Sequence, residues 1–214
     1  RMFYELRDSN RVVLVDPKCR QLVEVKGWDH LWPEYVLPAS VQERQEKLGR
    51  WKTRAVVDYF SGRDSFRVVL HLRKFHVEHL ELLSMFLLAD VRDCVLAVDE
   101  LYFFAPPGPP GLLGEYFGQL LVSGTHDGVF FVGTVQGAAM VHNRVRMNAS
   151  RSYIFRTDER NDLALLKAKL PADFPDALDV LPDYVCVIVA DGQPPYTDYT
   201  QAGKLGGVLP GRRF

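Results

Sequence analysis

Residues Cys94-Val95-Leu96-Ala97-Val98 form an unbroken apolar run, and two carboxylates, Asp99 and Glu100, follow it at once. A strand with one wet face alternates apolar and polar side chains. A run without that alternation predicts a central strand of a parallel sheet, buried on both faces. In open α/β sheets, ligands bind in the crevice beyond the carboxyl ends of the strands. Asp99 and Glu100 therefore stand at the mouth of a candidate site. An ordinary solvated Asp-Glu pair closing a strand explains the same residues, and the pattern alone leaves both readings open.

The neighbouring segments point to the same class. Val12-Val13-Leu14-Val15 is a second β-branched run, closed by Asp16-Pro17-Lys18, where Pro17 has no N–H to give to a ladder. Arg54 to Phe60 and Phe66 to Leu72 are predicted strands, and Val129 to Gln136 is a further buried strand ending in a polar residue. Tyr153-Ile154-Phe155 and Tyr184 to Val189 complete the set. Between them, apolar residues at Val77, Leu80, Leu83, Phe86 and Leu87 predict a helix over 75–88. Helices are also expected over 41–48, 112–122 and 161–170, and Phe3 to Arg7 reads as the end of another. Residues 28–40, with two tryptophans and two prolines, read as an irregular connection. The loop from Phe104 to Gly114 is too rich in Pro and Gly for helix or central strand. Alternating strands and helices define an α/β fold with a largely parallel sheet.

Composition narrows the partners. A chain of 214 residues with 47% hydrophobic content can bury a full core, and one domain over 1–214 is expected, with 193–214 as an extended tail. The balance of 26 basic and 27 acidic residues argues against a binder that coats nucleic acid with its whole surface. A local basic stretch remains, and His142 to Arg151 is the most basic. Cys19, Cys94 and Cys186 lack metal-type spacing and read as reduced thiols of a cytosolic protein. His76 and His79 have an i, i+3 spacing on a predicted helix but no further ligand in sight, so exposed helix histidines are expected there. Trp28, Trp32 and Trp51 are expected to pack in a core or interface.

Three segments in fixed order carry a resemblance: Val12 to Lys18 with its Asp-Pro-Lys end, Val95 to Leu101 with Asp99-Glu100, and Gly128 to Gln136 with Thr134-Val135-Gln136. Together they resemble the FtsK–HerA superfamily of P-loop DNA-pumping ATPases, and the likeness runs from Arg11 to Gly192. The small size is most similar to the genome-packaging ATPases of membrane-containing icosahedral viruses. The resemblance implies a P-loop NTPase, RecA-like sheet flanked by helices, with ATP and Mg2+ as cofactors. It also implies double-stranded DNA as partner, a homo-oligomeric ring (hexamer or pentamer), contacts with capsid vertex or membrane proteins, and a cytoplasmic or virion-associated location.

By the same resemblance, Asp99 holds Mg2+ through water, Glu100 is the general base for the lytic water, and Gln136 bonds the γ-phosphate or that water. Asp16 and Lys18 would line the nucleotide crevice. The family's basic residue before the sensor strand is replaced here by Thr125-His126-Asp127, so Arg144, Arg146 or Arg151 would substitute as arginine finger, and the loop from Phe104 to Gly114 would face the pore of the ring. One departure stands out: no Gly-x-x-x-x-Gly-Lys-[Ser/Thr] occurs in the chain, and Gly203-Lys204 is followed by Leu205. The resemblance implies that this loop precedes a helix such as Met2 to Arg7, upstream of Arg1. Two alternatives to a packaging motor follow, a catalytically inactive assembly or scaffold subunit of the same fold and a cellular DNA-pumping ATPase. A Rossmann-type enzyme is disfavoured, because no Gly-rich turn follows a strand in the required way.

Overall fold

A computed structural model describes residues 11–17, 27–31, 35–36, 50–51, 59–60, 62–72, 77–167, 178, 181, 186–190 and 196–198. The chain divides into two compact units, one of residues 1–136 with 141–145 and one of 137–140 with 146–214. In the first, the apolar runs become β1 (Arg11–Asp16), β5 (Phe66–His71), β6 (Cys94–Val98) and β7 (Val129–Gly133), and Asp29–Leu31 adds β2. Between β2 and β5 the chain adds a short antiparallel pair, β3 (Tyr35–Val36) and β4 (Arg50–Trp51). The sheet order is β2-β5-β1-β6-β7, with every neighbouring pair parallel. Parallel pairing aligns all five carboxyl ends on one edge, and that edge carries Asp16, His71 and the residues after Val98 and Gly133.

Both faces of the central strands are sealed. Val12 to Val15 and Val68 to Leu70 are fully buried, as are Leu96 to Val98. Val13, Val15, Val68, Leu70, Leu96 and Val98 pack on one face against α1 (Val77–Phe86) and α2 (Glu115–Ser123). Val12, Leu14, Val69 and Ala97 make a second cluster on the other face, with Trp28 against it. Each such side chain contributes about 1.5 to 3 kcal/mol from burial. Cys94 is a buried free thiol whose pKa burial pushes up to about 12. Cys186 is likewise a buried thiol outside any disulfide, and Cys19 lies outside the described residues.

Several expectations change. Residues 29–31, inside the stretch read as irregular, pair with β5 as β2, because backbone pairing tolerates the Asp-His-Leu sequence at a sheet edge. Tyr59 and Phe60 are helical rather than strand, with Phe60 packed edge-on against Phe66; 54–58 lie outside the described residues. The strand β7 is only partly buried, with Val129 in the core and Phe131 and Val132 half-buried. It pairs with β6 on one side among the described residues, and Phe130 is 55% exposed. The helix over 75–88 is α1, continued by a π-helical turn at Leu87–Val91. His79 is buried against the ring of Phe104 at 6.4 Å, not exposed, and no metal-holding cluster of His, Cys, Asp or Glu occurs among the described residues.

The second unit holds a three-stranded antiparallel sheet of β8 (Arg151–Phe155), β9 (Cys186–Ala190) and β10 (Tyr196–Asp198), in the order β10-β9-β8. Ile154 and Val187 pack with Leu178, Leu181 and residues of α4 (Arg160–Lys167). The basic run read from the sequence is partly helical, as α3 (Asn143–Met147). The expected helices over 3–7 and 41–48 lie outside the described residues, and so does the tail except for 196–198. No described helix is long and apolar enough to cross a membrane.

The Pro/Gly loop is anchored at its far end from another helix. The Glu81 carboxylate of α1 accepts the N–H groups of Tyr116 (3.0 Å) and Phe117 (2.9 Å), two of the orphan donors at the start of α2. Gly114 precedes α2, and a Cβ there would land on that carboxylate. Glu81→Ala removes two charge-assisted bonds in a buried setting and is expected to lower stability by about 2 kcal/mol. Gly114→Ala is expected to cost a comparable amount by displacing Glu81. Urea midpoints check both, and a Gly114→Ala protein as stable as wild type would refute the packing argument.

Candidate active site

Register brings the candidate residues together. Val98 faces Gly133 across β6 and β7, so the residues just beyond each strand meet. Thr134 N–H donates to the Val98 carbonyl (3.0 Å), and Leu101 N–H donates to the Thr134 carbonyl (2.8 Å). The Thr134 hydroxyl donates to Asp99 Oδ1 at 2.6 Å and accepts the Glu100 N–H at 3.0 Å. Gln136 Nε2 donates to Glu100 Oε1 at 3.0 Å. On the other flank, Asp99 N–H donates to the Val15 carbonyl of β1 (3.0 Å). One threonine thus joins both carboxylate residues, and the bond to an ionised acceptor is the short, strong kind.

Glu100 has a left-handed backbone, φ 50° and ψ 51°, and opens a single 3-10 turn, Leu101–Phe103. A non-glycine residue there costs roughly 1 to 2 kcal/mol, and the Thr134 hydroxyl on its N–H offsets part of that cost. The kink ends the strand and sets the Glu100 carboxylate beside Gln136. Glu100 is 8% exposed, Asp99 and Thr134 are half-buried, and Gln136 is exposed, so the cluster opens to solvent on the Gln136 side. Its equipment suits placing charge and orienting a water rather than covalent chemistry.

Asp16 lies elsewhere in character. Its side chain is fully buried at the end of β1, with Oδ2 at 3.4 Å from Nδ1 of His71, its register partner on β5. His71 Nε2 is 2.9 Å from Nδ1 of His30, and the two rings stack 5.2 Å apart. Burial lowers the His71 pKa from its ordinary 6.5, with Asp16 acting to raise it and His30 to lower it. The folded chain therefore holds fewer protons on His71 than the unfolded chain does below about pH 6.5. Stability is expected to fall as pH drops from 7.5 toward 5.5, and His71→Gln is expected to flatten that slope; urea midpoints across the range check it.

Lys18 lies outside the described residues. Arg144 and Arg146, in separate units, are both engaged within the chain. The Arg144 guanidinium rests against Gly118 of α2, where a Cβ would come within 2.8 Å of it. Arg146 donates to the Ala138 carbonyl at 2.7 Å. Reasoning from sequence missed Thr134 as the link between the carboxylates, and it missed the His71–His30 pair altogether. A signal existed for Thr134, since it lies in the same strand end as Gln136. None existed for a histidine pair 41 residues apart.

The parallel sheet and its flanking helices form a P-loop NTPase fold, as the match to solved structures shows. Solved structures that share it are those of the genome packaging NTPase B204 from Sulfolobus turreted icosahedral virus 2. The complex with ATP-gammaS matches with TM-score 0.59 and the complex with AMP with 0.58, each at 18% identity over 88% of this chain and 96% of that one. The DNA-packaging ATPase B204 from Sulfolobus Turreted Icosahedral Virus matches at 0.56 and 17% identity, with the same coverage. No protein-family profile and no curated protein matches the chain.

Proposed function

We propose that this chain is an ATPase that drives double-stranded DNA translocation in viral genome packaging, working as a homo-oligomeric ring. The observation that carries the reading is the Asp99–Thr134–Glu100–Gln136 cluster at the carboxyl edge of a sheet whose fold is shared with packaging NTPases. In this reading Asp99 holds Mg2+ through water. A single half-buried carboxylate fits that ion, which keeps most of its waters and takes the rest of its shell from phosphate. Glu100 orients and deprotonates the lytic water, and Gln136 fixes the carboxylate or contacts the γ-phosphate. Asp16, buried beside His71, acts behind the crevice rather than on the nucleotide, and Lys18, outside the described residues, is assigned to the crevice by the Asp-Pro-Lys pattern alone. Arg144 or Arg146 would reach a neighbouring subunit's nucleotide only after leaving its present seat.

No Gly-x-x-x-x-Gly-Lys-[Ser/Thr] loop occurs among the 214 residues, so they supply the carboxylate and sensor side of the site and not the phosphate cradle. The second reading is an inactive assembly subunit of the same fold. The test measures ATP binding and phosphate release by the natural polypeptide, with Mg2+ or with EDTA, and with and without double-stranded DNA. Mg2+-dependent release that DNA stimulates supports the motor. ATP that binds without turnover under every condition sinks it in favour of the assembly subunit.

A further inference from the structure

His142 is 2% exposed, and all four of its polar groups are used within the first unit, the carbonyl accepting the Val145 N–H at 3.1 Å. Its backbone N–H donates to the Ala105 carbonyl at 2.8 Å. Its ring Nε2 lies 3.0 Å from the Pro109 carbonyl, and its Nδ1 accepts the Arg144 N–H at 3.2 Å. A carbonyl cannot donate and a backbone N–H cannot accept, so the ring is the tautomer protonated on Nε2. His142 immediately precedes α3, so Nδ1 fills the place of an N-cap acceptor. Asp, Asn, Ser or Thr would cap that turn equally well. What they lack is the second ring nitrogen that reaches the loop.

The loop that it holds is stiff and begins four residues after Glu100. Phe104, Ala105 and Leu113 are buried at its base, and Pro107 to Pro109 and Gly111 are exposed at its tip. The Pro109 carbonyl also accepts the Leu112 N–H at 2.9 Å, closing a 3-10 turn, Pro110–Leu112. Beyond His142, the Arg144 side chain is seated on Gly118. The buried ring therefore joins the exposed part of the loop to the backbone that carries Arg144, beside the backbone bond from His142 to Ala105 at the loop's base.

We infer that His142 is a positioning residue that makes the Pro/Gly loop and the Arg144 turn move as one body, so that a partner displacing the loop repositions Arg144. The linkage itself stands on the geometry. Its purpose, reporting DNA at the loop to a cation at the nucleotide, rests on the translocase reading above.

The discriminating variant is His142→Asn, which keeps a side-chain acceptor for the Arg144 N–H and loses the donor to Pro109. Backbone hydrogen exchange is measured on the ligand-free protein. H142N is expected to speed exchange of the Leu112 amide roughly tenfold and to leave the Arg144 amide protected. Pro110→Gly, which loosens the loop, is expected to speed exchange at Arg144 in the wild-type background and not in the H142N background. Unchanged Leu112 exchange in H142N overturns the linkage, and so does an Arg144 response to P110G that survives in H142N. With DNA and ATP, the H142N protein is expected to lose most of the DNA-stimulated increment in hydrolysis. Full stimulation there overturns the coupling. A wild-type protein without hydrolysis removes the motor reading, while the exchange data still decide the linkage.

Discussion

Glu100→Gln is expected to lower phosphate release by a factor of about 100 to 10,000, the range that a positioned general base contributes, while ATP still binds. Gln matches Glu in size, so it can keep the left-handed backbone at φ 50° and the Thr134 contact to its N–H. Its amide oxygen still accepts from Gln136 Nε2, 3.0 Å from the Glu100 carboxylate. The fold and the neighbouring Asp99 are thus undisturbed, and what disappears is a carboxylate able to take a proton. Single-turnover hydrolysis and a separate equilibrium binding measurement distinguish the two effects. Hydrolysis at the wild-type rate would remove Glu100 from the mechanism. Loss of binding together with hydrolysis would assign it to ground-state affinity.

Phe104→Ala is expected to cost about 3 to 5 kcal/mol of folding stability, a large share of the roughly 5 to 15 kcal/mol that holds a native domain. Phe104 is fully buried at the base of the Pro/Gly loop, in the same core as Leu80, Leu83, Leu101 and Leu113, with its ring near His79. Truncation leaves a cavity that a loop pinned by His142 and Glu81 cannot collapse to fill. The readout is a lower urea midpoint at unchanged m-value, since the loss is of stability and not of compactness. Phe130→Ala is the control: Phe130 is 55% exposed on β7, so its truncation is expected to change stability by less than about 1 kcal/mol. Equal losses at the two positions would contradict the burial argument.

How far the residues alone reach can be judged strand by strand. Val12 to Val15 and Cys94 to Val98 read as doubly buried parallel strands, and between their parallel neighbours all but the half-buried Val95 are fully or almost fully buried. Continuous β-branched and aliphatic side chains favour a strand covered on both faces, and here pattern sufficed. It failed where pattern is uninformative. Val129 to Gly133 is equally apolar, yet its exposure depends on what pairs with its second edge, which no local sequence states. Asp29-His30-Leu31 has no strand signature and joins the sheet because β5 offers it partners.

The candidate site divides along the same line. Asp99, Glu100 and Gln136 could be singled out in advance, because a strand ending in polar residues advertises its carboxyl edge. That Thr134 would donate to Asp99 and accept from Glu100 across 34 and 35 residues of chain could not be foreseen. That contact follows from the β6–β7 register, in which Val98 faces Gly133, and register is a property of paired strands. The same holds for Asp16 beside His71, partners in the β1–β5 register, and for His142 reaching back to Pro109. Periodicity and composition act over a few residues and choose the elements. Contacts between residues dozens of positions apart exist only once those elements have packed, and the bonds that join Asp99, Glu100, Thr134 and Gln136 are of that kind.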